Sequence, residues 1–182
     1  MKKVALLGDS IRLIGYGTKV PELLGEEYEV FQPDDNCRFV KYTLRGVFEW
    51  REQLKDCAVI HWNNGLWDTS VNLFDDGKPF TSEEEYVENM LRVAKELKKL
   101  GKRVIFATTT PVHHEFHFND NSLIQRYNAL VVPKLRELGI EINDLHSLVM
   151  QDLYKYIGTD QIHLSEEGSD LCAKQVVKII KG

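Results

Sequence analysis

Five short apolar runs separated by stretches of helical spacing constrain this chain most. The runs are residues 3–7, 28–31, 58–62, 103–108 and 140–142, and each reads as a buried strand bounded by turn residues. Between them lie helix signals. Ser82 stands where an N-cap is needed, and Glu83, Glu84 and Glu85 follow at the positive end of the helix dipole. Val87, Met90, Leu91, Ala94 and Leu97 continue at helical spacing until Gly101 stops the helix. Leu123, Tyr127, Leu130 and Val131 mark another helix, which Pro133 is expected to bend or break. Ser165 caps a last one, with Leu171, Val176, Val177 and Ile180 on its apolar side. Alternating strands and helices predict an α/β fold in three layers, a central parallel sheet of about five strands between two layers of helices, with right-handed crossovers. With no linker or repeat, residues 1–182 are expected to form one domain.

Composition narrows the partners. Lys and Arg number 23 against 28 Asp and Glu, so the net charge of -5 provides no general attraction to nucleic acid or to an anionic membrane. The apolar runs are too short to span a bilayer, and the one after Lys2 and Lys3 leads straight into Gly8, which reads as a first strand and not as a secretion signal. Cys37, Cys57 and Cys172 are odd in number and widely spaced, against a disulfide framework or a thiolate zinc site. A reducing cytoplasm is the expected setting. The oligomeric state is not legible.

Two distant segments carry the chemistry. Gly8-Asp9-Ser10 follows the first apolar run, so a strand delivers one serine to a turn at its exposed end. Serine is a poor nucleophile without an adjacent base oriented by a third group. Asp160 and His163, in a loop just before the final helix, can supply both. In an open parallel sheet, sites lie beyond the carboxyl ends of the strands, which brings the two segments to one rim. His163 would then take the Ser10 proton, and Asp160 would hold the imidazole tautomer, by its carboxylate or by its backbone carbonyl. The Ser10 N–H, at the start of the next helix, faces developing negative charge. Asn63 and Asn64, after the third strand, offer amides to the same charge, while Asp68 is expected to cap a turn or helix.

These segments together resemble the SGNH (GDSL) hydrolase superfamily, over essentially the whole chain. Gly8-Asp9-Ser10 matches its first block and Asp160-Gln161-Ile162-His163-Leu164 its last; Thr108-Thr109-Thr110-Pro111-Val112, Tyr127-Asn128 and Ile142-Asn143-Asp144-Leu145 are also similar to it. The resemblance implies a flavodoxin-like fold and hydrolysis of an ester or related acyl bond. Two blocks depart from the pattern. In place of Gly-x-Asn-Asp stands Asn63-Asn64-Gly65-Leu66-Trp67-Asp68, which resembles a variant branch and makes Asn63 the expected oxyanion donor, with Asn64 second. The second block lacks its glycine, so the backbone N–H of Cys37 or Arg38 is the substitute.

The expected function is a serine esterase acting on a small acyl group, acetyl being the favoured case, with a small molecule or carbohydrate as the alcohol. The alternatives are a lipase- or thioesterase-type acylhydrolase and a non-catalytic binding module on the same fold. No cofactor is expected, since one glycine and an acid at the first turn do not make a phosphate cradle. Trp67, His113 and Phe116 are expected in the substrate pocket. His113 and His117 would share a helical face and could hold a metal, but the stretch follows Thr110-Pro111 at the rim, and a lid or pocket wall is favoured over a metal site.

Overall fold

The computed structural model describes all residues, 1–182. In chain order the elements are β1 (Lys2–Leu7), a π-helical turn (Ile11–Gly15) running into a 3₁₀ turn (Tyr16–Thr18), α1 (Val20–Leu24), β2 (Tyr28–Phe31), α2 (Val40–Glu49), α3 (Arg51–Leu54) and β3 (Cys57–Asn63). There follow α4 (Glu83–Leu100), β4 (Gly101–Ala107), α5 (Asn121–Glu137), β5 (Glu141–Asn143), α6 (Leu145–Met150), α7 (Leu153–Tyr156) and α8 (Glu166–Lys181). All strand pairs are parallel and their order is β2-β1-β3-β4-β5. No helix is long and apolar enough to cross a membrane.

The side-chain period of two along each strand divides the core. Val4, Leu6, Val59, Ile105 and Ala107 face α1, α6, α7 and α8. Ala5, Leu7, Ile60, Trp62, Val104 and Phe106 face α2, α3, α4 and α5. The three central strands are therefore apolar on both faces, as a helix-covered parallel sheet requires.

The expected caps are in place: the Ser82 hydroxyl accepts from the Glu85 N–H at 3.3 Å and the Ser165 hydroxyl from the Gly168 N–H at 3.0 Å. Pro133 does not break its helix. α5 continues through Pro133 to Glu137. Pro133 is exposed, and so is Ala129, whose carbonyl loses its helical donor and is left to water. Val131 and Leu135, buried on either side, hold the helix to the core across that gap.

The strand order reverses direction at β1, which lies between β2 and β3. Ligands in such sheets bind outside the carboxyl ends of the strands at that switch point. The β1 end delivers Gly8-Asp9-Ser10 there and the β3 end delivers Asn63.

Candidate active site

The turn after β1 is built on a buried carboxylate. Asp9, 1% exposed, accepts from the Ile11 N–H at 3.0 Å and from the Asn63 amide at 2.7 Å, and its carbonyl accepts from Arg12 and Leu13. Burial pushes the Asp9 carboxyl up to about 6, against the lowering pull of the Asn63 amide, the Ile11 N–H and the Arg12 guanidinium. With Asp9 pulled inward, Ser10 stands at the rim, where it lines the cavity. It already has helical backbone angles, so its N–H is among those at a helix start that find no intrahelical partner.

The last block arrives from the other side. The Gly158 N–H donates to the His163 carbonyl at 2.7 Å and the Ser165 N–H to the Tyr156 carbonyl at 2.9 Å, a clasp that presents the loop between them. Gln161 takes a left-handed φ of 72° at the tip, and its carbonyl accepts from the His113 N–H. Asp160 Oδ1 accepts from the Ile162 and His163 N–H groups at 3.1 and 2.9 Å. Its Oδ2 lies 2.7 Å from His163 Nδ1, and His163 Nε2 lies 2.8 Å from Ser10 Oγ. Partial burial works to raise the Asp160 carboxyl, but the His163 and Ile162 hydrogen bonds prevail and hold it below the usual carboxylate range. With Nδ1–H donating to Asp160, Nε2 is free to accept the Ser10 hydroxyl proton. The structure thus joins three side chains spread over 153 positions into one hydrogen-bonded row.

A cavity of about 560 Å³ opens at this row. Ser10, His163 and Asn36 are on its polar side; Leu13, Ile14, Leu66, Trp67, Leu73 and Phe80 make up much of the rest. Trp67, expected in the pocket, is there, 41% exposed. His113 and Phe116 are not among the lining residues. His113 stacks on Tyr154 at 4.7 Å, and Phe116 packs edge-on to Phe118. His117 turns its ring to Phe118, and no three His, Cys, Asp or Glu side chains converge as metal ligands would.

Of the five expected oxyanion donors Ser10 lines the cavity; Asn63, Asn64, Cys37 and Arg38 do not, and each makes another hydrogen bond. Asn63 is 4% exposed; it donates to Asp9 and accepts from the Tyr16 hydroxyl at 2.8 Å. The Asn64 amide donates to the Arg38 carbonyl at 2.9 Å and accepts from the Trp62 indole. The Cys37 N–H donates to the Gly8 carbonyl at 3.0 Å, and the Arg38 N–H to Asn36 Oδ1 at 2.8 Å. All four sit under or beside the turn and tie it down.

Asp68 does cap a helix, though a distant one. Its two carboxylate oxygens accept from the Val40 N–H at the start of α2, each at 3.1 Å, and Oδ1 also accepts from the Thr81 hydroxyl. Burial pushes its carboxyl up to about 7, against the Thr81 and Val40 bonds. The folded protein thus holds a proton that the unfolded chain, titrating near about 3.9, gives up. Ionised Asp68 opposes folding as pH rises through that window. Asp68→Asn removes this slope, so its melting temperature is expected to gain on that of the parent between about pH 5 and about pH 8. A difference that stays flat or shrinks with rising pH contradicts the assignment.

Comparison with known proteins agrees with the fold. No known protein-family profile matches the chain. Among curated sequences, a GDSL esterase/lipase of Arabidopsis thaliana is 27% identical over 160 residues, covering 81% of this chain and 51% of the plant protein. The chain spans about half the length of the curated relatives it matches, all of them GDSL esterase/lipases. Among solved structures, a lipase/acylhydrolase from Enterococcus faecalis superposes with a TM-score of 0.81 at 17% identity, over 100% of this chain and 96% of the other. An acetylxylan esterase from Geobacillus stearothermophilus gives 0.79 at 19% identity, over 100% and 94%. The fold is the one these solved structures share, a five-stranded parallel sheet between layers of helices. In sequence the chain is related to GDSL esterase/lipases, the group its two end motifs resemble.

Proposed function

We propose that this chain is a serine ester hydrolase with Ser10 as nucleophile, His163 as general base and acid, and Asp160 as the group that orients the imidazole. The observation that carries this reading is the 2.8 Å contact of His163 Nε2 with Ser10 Oγ, with Asp160 at 2.7 Å behind Nδ1. As Ser10 Oγ attacks the ester carbonyl carbon, its proton passes to Nε2. The Ser10 N–H faces the oxyanion that forms. His163 then returns the proton to the departing alcohol, leaving an acyl-serine. Water repeats the sequence, with His163 as base, and releases the acid. Asp160 keeps Nδ1–H in place and balances the imidazolium. Its side chain is 54% exposed, so Asp160→Asn is expected to lower kcat by about a hundredfold, short of the ~10⁴ seen where the triad aspartate is buried. An Asp160→Asn enzyme within about threefold of the parent would remove Asp160 from the mechanism.

The acyl group has two readings. The likeness to an acetylxylan esterase supports acetyl on a carbohydrate. The cavity favours the second, an acylhydrolase for longer chains, because Leu13, Ile14, Leu66, Leu73 and Phe80 offer no hydrogen bonds to a sugar and Trp67 only its indole N–H. A methylene moved from water onto such a surface is worth about 0.8 kcal/mol. Each one seated is therefore worth roughly fourfold in kcat/KM. Nitrophenyl esters of increasing chain length decide between them: butyrate is expected to exceed acetate by about fifteenfold. A maximum at acetate supports the small-acyl reading, and no turnover at any length leaves a non-catalytic binding module.

A further inference from the structure

An ester hydrolase needs more than one fixed donor where the negative charge develops. Ser10 N–H is one, and none of the four other amides the motifs suggested lines the cavity. The cavity wall offers another. We propose that the second oxyanion donor is the side-chain amide of Asn36, on the loop after β2, an assignment that rests on Ser10 being the nucleophile. Asn36 lines the same cavity as Ser10 and His163. Its Oδ1 accepts from the Arg38 N–H at 2.8 Å, which fixes the plane of the amide and leaves Nδ2 as its free donor. Another neutral polar side chain of the wall, Ser70, donates to the Leu66 carbonyl at 3.0 Å.

The loop is pinned to the serine turn on both sides of Asn36. Before it, the guanidinium of Arg12, 1% exposed, donates to the carbonyls of Pro33 at 2.9 Å, Asp35 at 2.7 Å and Gly8 at 3.2 Å. After it, Cys37 and Gly8 pair twice: the Cys37 N–H donates to the Gly8 carbonyl, and the Gly8 N–H to Cys37 Sγ at 3.2 Å. Asn36 is one residue back from this clamp and Ser10 two residues forward, so the amide and the nucleophile share one rigid frame. A donor that needs no reorganisation during the reaction is what lowers a barrier. Arg38, the donor to Asn36, adopts a left-handed φ of 46°, a conformation uncommon for a residue with a side chain. The missing glycine of the second block is then no loss. A side-chain amide one residue earlier takes the place of its backbone N–H.

Two variants test this. Asn36→Ala removes the amide. Asn36→Asp keeps the acceptor for Arg38 while removing the donor, so it remains informative if the alanine variant folds poorly. Both are expected to lose about a hundredfold in kcat, with KM changed by less than about threefold. Binding of an alkylboronic acid, which forms a tetrahedral anionic adduct on the serine, is expected to weaken in parallel with kcat/KM. A purely structural role would not link the two losses. If kcat stays within about threefold of the parent, or boronate affinity is unchanged, the assignment is overturned. If Ser10→Ala is inactive while both Asn36 variants are fully active, Asn36 alone is excluded. If Ser10→Ala remains active, the nucleophile itself is wrong.

Discussion

Ser10→Ala is expected to lower kcat for a nitrophenyl ester by roughly 10⁴–10⁶-fold, to the residual rate that the donors and the cavity sustain alone. The size follows from chemistry. Without the hydroxyl no acyl-serine forms, and His163 is left to activate a water that nothing positions. The fold should hardly notice. Ser10 Oγ has His163 as its hydrogen-bond partner at the cavity rim, and a net contribution of about 1 kcal/mol is typical of such a bond. Full loss of activity with an unchanged melting temperature is therefore the signature, and retention of more than about a tenth of the activity would refute the nucleophile.

Gly8→Ala is expected to have the largest effect on stability. A Cβ at Gly8 would lie 1.9 Å from Asn63 Oδ1 and 2.8 Å from Arg12 Cβ. Neither neighbour can yield freely. Asn63 is held by Asp9 and Tyr16, and Arg12 by three backbone carbonyls, and these four side chains are buried. Overpacking at such a site costs about 3 kcal/mol. For a chain of this size that lowers the melting temperature by roughly 6–12 °C. Because the same side chains position Ser10 and the loop of Asn36, activity should fall along with stability. A Gly8→Ala protein that melts within about 2 °C of the parent would contradict the packing described for this turn.

Where local chemistry decides structure, the sequence was readable. β1, β3 and β4 are apolar on both faces, and no other element accommodates such short runs. α4 and α8 carry serine caps and acidic first turns, and both begin where those signals stand. The approach of Ser10 to His163 was also legible, because a parallel sheet leaves few other places for the end of β1 and the loop before α8. The oxyanion donors were not. Whether Asn63 faces a substrate or a buried carboxylate depends on Asp9 turning inward to meet it across 54 positions of chain, which no local pattern reveals. Asn36 stands just before Cys37 and Arg38, the two residues whose backbone N–H groups the motif suggests, and nothing local marks its side chain as the donor. The signal was there: Arg12, a charge amid Ile11, Leu13 and Ile14, is a buried guanidinium in need of carbonyls, and the loop at 33–36 supplies two of them. Pro133 misled for a related reason, since its cost depends on whether the freed carbonyl meets water.

The most direct test of the central claim is covalent. The protein is treated with a fluorophosphonate at neutral pH and digested, and the modified peptide is sequenced by mass spectrometry. The account predicts one adduct, on Ser10, forming far more slowly when His163 is replaced by alanine. Failure to label the folded protein, or an adduct confined to another serine such as Ser70, would contradict it.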